Sequence, residues 1–107
     1  IRLHKNFKKQ FNKLTESQKR KFRERRDIFL QDEFSSILNN HALKGAYQGY
    51  RSINITGDIR VIYGKSAQDV IFVAIGSHSS LYGWMMSAKK KNKLEIFWPL
   101  VKSSELR

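Results

Sequence analysis

The chain has 107 residues with 21 lysines and arginines against 9 acidic residues, and its net charge of +12 favours a polyanion or an acidic protein as partner. It contains no cysteine, which excludes disulfides, thiol nucleophiles and cysteine-ligated zinc and fits a reducing cytosol. No run approaches the roughly 18 apolar residues of a membrane span, and no signal-peptide apolar region opens the chain. We therefore expect a one-domain, soluble, cytoplasmic protein whose initiator methionine is missing and which does not use a membrane.

The N-terminal residues predict a short strand followed by a helix. Residues 1–4 alternate apolar and charged or polar side chains, as a strand does. Phe7, Phe11 and Leu14 then fall at i, i+4 and i+7. This spacing places them on one face of a first helix of about three turns.

A second helix is predicted by its start signal. Thr15 and Gln18 have capping-box form, in which each side chain accepts a hydrogen bond from the backbone N–H of the other residue. The helix should begin at Glu16 and run to about Asp32. Its basic side chains fit either a solvated face or an electrostatic collar that steers RNA or receives an acidic partner. They are Lys19, Arg20, Lys21, Arg23, Arg25 and Arg26.

Three strand-like segments follow, at about residues 49–55, 58–64 and 70–76, and predict an antiparallel meander. A Thr-Gly pair at 56–57 predicts a tight hairpin turn, because glycine takes positive φ at no steric cost. Residues 64–69 predict a looser turn. The third segment is almost entirely apolar, which indicates a central strand buried on both faces. We expect an α+β fold with two N-terminal helices packed on one face of a small antiparallel sheet.

The C-terminal part differs in character from the rest. Both tryptophans, both methionines and the only proline lie within residues 84–107. Residues 87–93 resemble a basic, flexible linker, and residues 94–101 are mostly apolar. The apolar stretch favours docking on the sheet over exposure to water, although an appendage foreign to the domain is an alternative. We therefore divide the chain into a folded domain at 1–83 and a basic, apolar tail at 84–107 whose origin the sequence leaves open.

The polar residues that interrupt the strand pattern suit cleavage of a phosphodiester without a metal. Cutting RNA in this way requires a base for the 2′-hydroxyl, cations for the charged phosphate and an acid for the leaving 5′-oxygen. Histidine suits both proton roles because its ordinary pKa lies near neutrality. The planar fork of arginine binds two phosphate oxygens together. The candidates are His41, Lys44, Arg51, Asp58, Arg60, His78 and Tyr82.

Each candidate also has a structural interpretation. His78 follows a buried strand and fits a capping or hydrogen-bonded histidine, and His41 fits a loop residue. Asp58 fits a turn residue that bonds its own backbone, or the partner of Arg60 in a salt bridge, since residues two apart share one side of a strand. Tyr82 fits the core. A metal site built from both histidines and Asp58 lacks the close ligand spacing of such sites.

Taken together, the motifs resemble the RelE/ParE superfamily of bacterial type II toxins, and its YafQ-like branch most closely. The resemblance covers about residues 1–82 and implies a small antiparallel sheet with two N-terminal helices. It also implies an endoribonuclease that cuts mRNA in the ribosomal A site and is held inactive by a labile antitoxin. The segments that carry it are Asn-His-Ala-Leu-Lys-Gly at 40–45, Gly-Tyr-Arg at 49–51, Gly-Asp-Ile-Arg-Val-Ile-Tyr at 57–63 and Gly-Ser-His-Ser-Ser-Leu-Tyr at 76–82.

The resemblance also implies roles for individual residues. The catalytic residues of YafQ-like toxins correspond to His41, Asp58, His78 and Tyr82. We expect His78 to be the general acid and Asp58 or His41 the base, without a cofactor. The residues expected to bind RNA phosphates are Lys44, Arg51 and Arg60.

Two positions depart from the YafQ-like pattern. Asn54 stands where relatives often have a further histidine, and Ile59 stands where they tend to have an aromatic residue. The chain therefore has fewer side chains able to transfer a proton, or the catalytic roles are distributed differently, as in RelE-like relatives that depend on lysine and arginine.

Two other functions remain open. A protein of the same fold that inhibits DNA gyrase, like the ParE branch, would need no acid–base set. A basic module that binds RNA or the ribosome without cutting is the other. The charge and the resemblance together favour an acidic antitoxin as partner, which would wrap the basic helices or cover His78 and Tyr82.

Overall fold

The computed structural model describes residues 1–67 and 69–90, and within them the chain forms five strands and three α-helices. Two short 3-10 turns, Ser36–Leu38 and Gly45–Tyr47, join these elements. The predicted tail beyond residue 90 lies outside the described residues. The elements are β1 (Arg2–Leu3), α1 (Lys5–Phe11), α2 (Glu16–Gln31), β2 (His41–Ala42), β3 (Tyr50–Asn54), β4 (Ile59–Lys65), β5 (Val70–Ser77) and α3 (His78–Lys90).

The strands form one sheet in the order β1-β5-β4-β3-β2. Strands β3, β4 and β5 pair antiparallel, which confirms the predicted meander and the α+β fold. The sheet is mixed rather than purely antiparallel, because β1 pairs parallel to β5, with Arg2 opposite Ile71. As predicted, β5 is an inner strand, and residues 71–76 are buried.

Helices α1 and α2 cover one face of the sheet, as predicted, through a cluster of aromatic rings. Phe72 of β5 is fully buried, with its ring centroid 5.7 Å from that of Phe7, 5.9 Å from Phe22 and 5.6 Å from Phe29. Tilted and edge-to-face contacts of this kind stabilise a core beyond the area they bury. The three helical phenylalanines therefore orient both helices on β5.

The predicted start of α2 is confirmed. Gln18 N–H donates to Thr15 Oγ1 at 3.1 Å, and Thr15 N–H donates to Gln18 Oε1 at 2.9 Å. The first helix is shorter than predicted, because α1 ends at Phe11 and Leu14 lies in the turn that follows. Leu14 nevertheless packs against the same core.

The prediction of a tight hairpin turn that depends on positive φ at Gly57 is wrong. Gly57 does not adopt positive φ, which among the described glycines occurs at Gly45 and Gly49. Instead, Thr56 Oγ1 accepts hydrogen bonds from the backbone N–H groups of Asp58 and Ile59, at 3.1 and 2.9 Å. A hydroxyl that bonds its own backbone thus closes a wider connection between β3 and β4.

Helix α3 covers the opposite face of the sheet and makes a second core. Leu81 is buried there against residues of β3, β4 and β5. The helix leaves β5 without a linker, and a Cβ on Gly76 would lie only 2.7 Å from Ser80 Oγ, so glycine permits this close return. Throughout the described ranges, none of the helices has the length and apolar character needed to cross a bilayer.

The predicted domain boundary between residues 83 and 84 falls inside α3. The helix continues to Lys90, so residues 87–90, predicted as the start of a linker, are helical. The division into domain and tail stays a prediction, because residues 91–107 are outside the described part.

Replacing Phe22 with alanine should lower the free energy of unfolding by about 3–5 kcal/mol, because the ring is buried among other rings of the core. Leu30→Ala, on the same helix but 61% exposed, should change it by less than about 0.5 kcal/mol. Urea unfolding followed by circular dichroism measures both. Equal losses in the two variants would contradict this account of how α2 is held.

Candidate active site

A cavity of about 170 Å³ lies between α3 and the sheet. None of the carboxylates of the described residues lines it, so its polar side suits an anion. Its polar or aromatic lining residues are His41, Ser52, Arg60, His78 and Tyr82, and its apolar lining residues are Leu43, Ile62, Leu81 and Met85.

His78 is fixed by both its backbone and its ring. It is the first residue of α3, and its N–H donates to the carbonyl oxygen of Asp58 at 3.1 Å. Arg60 Nη1 lies 3.1 Å from His78 Nδ1. Because a guanidinium only donates, we assign Nδ1 as the acceptor and the proton of the neutral ring to Nε2. Nε2–H is then a donor on an exposed ring.

His41 has the opposite arrangement. It lies in the edge strand β2, and its Nδ1 is 3.0 Å from the carbonyl oxygen of Asn39. Because a carbonyl only accepts, we assign the proton to Nδ1. The lone pair of His41 Nε2 is therefore available as a hydrogen-bond acceptor, whereas His78 Nε2 carries the hydrogen.

A hydrogen-bond network holds the strand that carries His41. Asn40 donates to the carbonyl oxygen of Glu33 at 3.0 Å and to the hydroxyl oxygen of Tyr63 at 2.7 Å, and it accepts from Arg51 Nε at 2.7 Å. The Tyr63 hydroxyl donates to Glu33 Oε2 at 2.6 Å. The network ties β2 to β4 and to the chain after α2, which orients His41.

Arg51 is not brought to the cavity. Its guanidinium lies 5.2 Å from the ring centroid of Phe34, and it pairs in register with Tyr63 on the face covered by α1 and α2. Side chains alternate between faces along a strand, so Arg51 lies on the other side of the sheet from Ser52. In this structure Arg51 supports Asn40.

Asp58 and Lys44 are exposed and do not line the cavity. Asp58 contacts His78 through its backbone carbonyl, and no ion pair joins its carboxylate to Arg60.

Tyr82 lines the cavity and is 63% exposed, so the core interpretation is wrong for this residue. Of the seven candidates, four meet at the cavity: His41, Arg60, His78 and Tyr82.

The described residues contain no group of three or more histidine, aspartate or glutamate side chains able to hold a metal ion. The alternative of a metal site formed by His41, Asp58 and His78 therefore has no geometric support.

The supporting residues Glu33, Asn40 and Tyr63 and the lining residue Met85 were missed by the sequence reasoning. Asn40 had a signal, since it precedes His41 within one of the motifs. Tyr63 also had one, since it ends the motif at 57–63, whereas Glu33 had none, because its contact with Tyr63 joins positions 30 residues apart.

The charges around Glu33 set its ionisation. Burial raises the pKa of Glu33, but hydrogen bonds from Lys65 at 2.8 Å and from Tyr63, with the charges of Lys65 and Arg51, outweigh it and leave the pKa below its ordinary value. Burial and the bond to Glu33 raise the pKa of Tyr63 well above its ordinary range. The Tyr63 hydroxyl therefore stays a donor to an ionised carboxylate.

The sequence profile of the YafQ family, described as the bacterial toxin of a type II toxin–antitoxin system, matches residues 1–83. The chain belongs to this family. The sequence matches no protein of curated function significantly.

Solved structures share the fold. YafQ from E. coli strain BL21(DE3) is 19% identical with a TM-score of 0.67, and the match covers 77% of this chain and 96% of that one. The E. coli DinJ–YafQ toxin–antitoxin complex gives 20% identity, a TM-score of 0.65 and coverage of 77% and 94%. The RelB–RelE complex of Methanococcus jannaschii gives 18%, 0.63 and coverage of 77% and 95%. At these identities the likeness supports the fold.

Glu33→Gln should destabilise the protein by about 1 kcal/mol at neutral pH, a modest value because solvent screens part of the interaction. Folding lowers the pKa of Glu33, so its contribution is present above the unfolded pKa of about 4.3 and is lost as the pH falls through the folded value. Unfolding free energies measured from pH 7 to pH 3 should therefore converge for wild type and variant. The exposed control Glu24→Gln should differ little at either end, and a gap for Glu33→Gln that widens towards pH 3 would contradict this sign.

Nitrogen NMR of the histidine rings tests the two tautomers. At a pH where both rings are neutral, His78 should carry its proton on Nε2 and His41 on Nδ1, because their partners are a donor and an acceptor respectively. Arg60→Ala should return His78 to a mixture of tautomers and leave His41 unchanged. The same tautomer in both wild-type rings would refute the assignment.

Proposed function

We propose that the protein is a type II toxin that cleaves mRNA in the ribosomal A site by general acid–base catalysis without a metal. The observation that carries the proposal is the pair of histidines at one cavity. Their hydrogen-bond partners assign an accepting Nε2 to His41 and a donating Nε2 to His78. Arg60 lies beside His78 and supplies a positive charge for the phosphate.

The proposed reaction uses the 2′-hydroxyl of the substrate as the nucleophile. His41 Nε2 removes its proton, and the 2′-oxygen forms a bond to phosphorus as the bond to the 5′-oxygen breaks. His78 protonates that leaving oxygen, which gives a 2′,3′-cyclic phosphate and a 5′-hydroxyl end. We assign the base to His41 over Asp58 because His41 lines the cavity and the carboxylate of Asp58 does not.

Arg60 links substrate binding to the protonation of His78. Phosphate oxygens are stronger acceptors for a guanidinium than a neutral imidazole nitrogen is. When a phosphate enters, Arg60 turns to it and releases His78 Nδ1, which takes up a second proton from the solvent. The resulting imidazolium is the acid, and Arg60 meanwhile stabilises the charge that develops on the phosphate.

The remaining candidates have secondary roles. Tyr82 lies one helical turn beyond His78 and is exposed, so it is suited to stacking on an unpaired base. Lys44 is exposed and follows Leu43, which lines the cavity, so its charge adds to the attraction of the RNA backbone. We assign Arg51 to supporting Asn40 rather than to a phosphate, because it lies on the other face of the sheet.

We propose an acidic cognate antitoxin as the protein partner. The chain's net charge of +12 favours an acidic surface, and the similar E. coli and M. jannaschii structures are toxin–antitoxin complexes. An antitoxin that covers the mouth of the cavity would keep RNA from both histidines.

A translation reaction programmed with a defined mRNA and read by primer extension tests the activity. Wild type should make codon-spaced cuts that require ribosomes, and His78→Ala should lower their rate at least about a hundredfold, because a positioned acid contributes that much. The matched control is His4→Asn, which changes a histidine outside the cavity that caps α1, to another residue that caps helices well. It should cut normally.

The outcomes separate the alternatives. Full activity in a folded His78→Ala variant would refute the role of His78. Absence of cutting with inhibition of gyrase supercoiling would favour a ParE-like inhibitor. Absence of both, with retained RNA binding, would favour a basic binding module.

A further inference from the structure

The second half of α3 lies beyond the part of the chain that matches the family, yet it helps to form the cavity. The family profile ends at residue 83, and helix α3 continues to Lys90. Met85 lines the cavity, and Trp84 packs partly buried against the core beneath α3. The structural matches to the similar toxins span 77% of this chain, and they span 96% and 95% of those toxins. The wall formed by Met85 therefore lies outside the residues that the family profile matches, whereas the other lining residues lie within them.

A hydrogen bond fixes this wall to the opposite side of the cavity. The hydroxyl of Tyr47 donates to the backbone carbonyl oxygen of Met85. Tyr47 ends the 3-10 turn Gly45–Tyr47, which connects the strand of His41 to β3. Burial raises the pKa of Tyr47, so its hydroxyl stays protonated and able to donate. The bond holds Met85 at a defined distance from the strand that carries His41.

The cavity is divided into a polar and an apolar part, which indicates what it holds. Arg60 and His78 suit a phosphate group, whereas Leu43, Ile62 and Met85 suit an apolar surface attached to it. A volume of about 170 Å³ is below the roughly 300 Å³ of the smallest typical ligand sites, and it suits a single planar ring system. A nucleotide has this combination of charge and flat apolar face.

We propose that Met85 contacts the base next to the scissile phosphate and thereby contributes to substrate affinity and base preference. The proposal rests on the proposed function, since the substrate is RNA. A thioether makes favourable contacts with aromatic rings and adapts its shape to them. Unpaired bases offer such rings to a protein, and stacking and apolar contacts hold them.

The chain supplies a matched control in the next residue. Met86 is 53% exposed and does not line the cavity, so it shares the chemistry of Met85 without the location. The sequence contains two methionines. Their methyl groups can therefore be followed separately in one sample.

The first test is NMR of the protein labelled at the methionine methyl carbons and titrated with nucleoside 3′-monophosphates, with inorganic phosphate as the comparison. The nucleotides should shift the Met85 methyl resonance in a saturable manner through the ring current of the base, and phosphate alone should not. The Met86 methyl should move little. Met85→Leu and Met86→Leu variants assign the two signals. Equal shifts for both methyls, or a stationary Met85 methyl, would overturn the proposal.

The second test is cleavage kinetics in the ribosome-dependent reaction. Met85→Ala should raise KM about tenfold with little change in kcat, as loss of one base contact predicts. Met85→Leu should restore most of the affinity, Tyr47→Phe should weaken it in part, and Met86→Ala should match wild type. A KM for Met85→Ala equal to that of wild type, in a protein with unchanged thermal unfolding, would refute the proposal. If wild type cuts no RNA, the proposed function fails, and the NMR contrast between the two methyls still decides the role of Met85.

Discussion

The burial of β5 on both faces is the constraint on which the fold and the cavity depend. Phe72 points to the aromatic core beneath α1 and α2, and Val73 points to the core beneath α3. Because α3 leaves β5 without a linker, the position of that strand also determines where His78 emerges. The outer edge of β5 beyond β1 is covered by Asn6 and Gln10, which bond the Val73 carbonyl and the Ile75 N–H. Apolar packing thus positions His78.

His41, on the other side of the cavity, is positioned by polar contacts. The edge strand β2 has two residues, both exposed, and offers little apolar surface to bury. Asn40, held by Tyr63 and Arg51, fixes the chain immediately before His41. A change in the network beneath β2 can therefore move His41 without unfolding the core, whereas a change in the core would affect both histidines together.

Local sequence signals predicted the elements well and their relations less well. The capping box at Thr15 and the apolar run of β5 each act through near neighbours, so the sequence alone was sufficient. The parallel pairing of β1 with β5 joins residues about 70 positions apart and leaves no periodic signal. The face on which Arg51 lies depends on the register of β3 against β4, since a shift by one residue would reverse it. The same limit applies to the site. Motifs included both histidines and Tyr63, but they did not indicate that Tyr63 contacts Asn40 and Glu33, and Met85 lies beyond the last motif.

The register between β3 and β4 also explains what the absent histidine at position 54 means. Asn54 lies directly opposite Arg60, and its Oδ1 and Arg60 Nε are both buried without a hydrogen-bond partner. Asparagine does not exchange a proton near neutral pH, so in the reaction proposed above it takes neither proton-transfer role. What position 54 does control is the surroundings of Arg60. With Nε buried and unsatisfied and Nη1 bonded to His78, the hydrogen-bonding capacity of this guanidinium is only partly used. The absence of a histidine at position 54 is thus accompanied by an arginine beside His78 whose hydrogen bonds are incomplete.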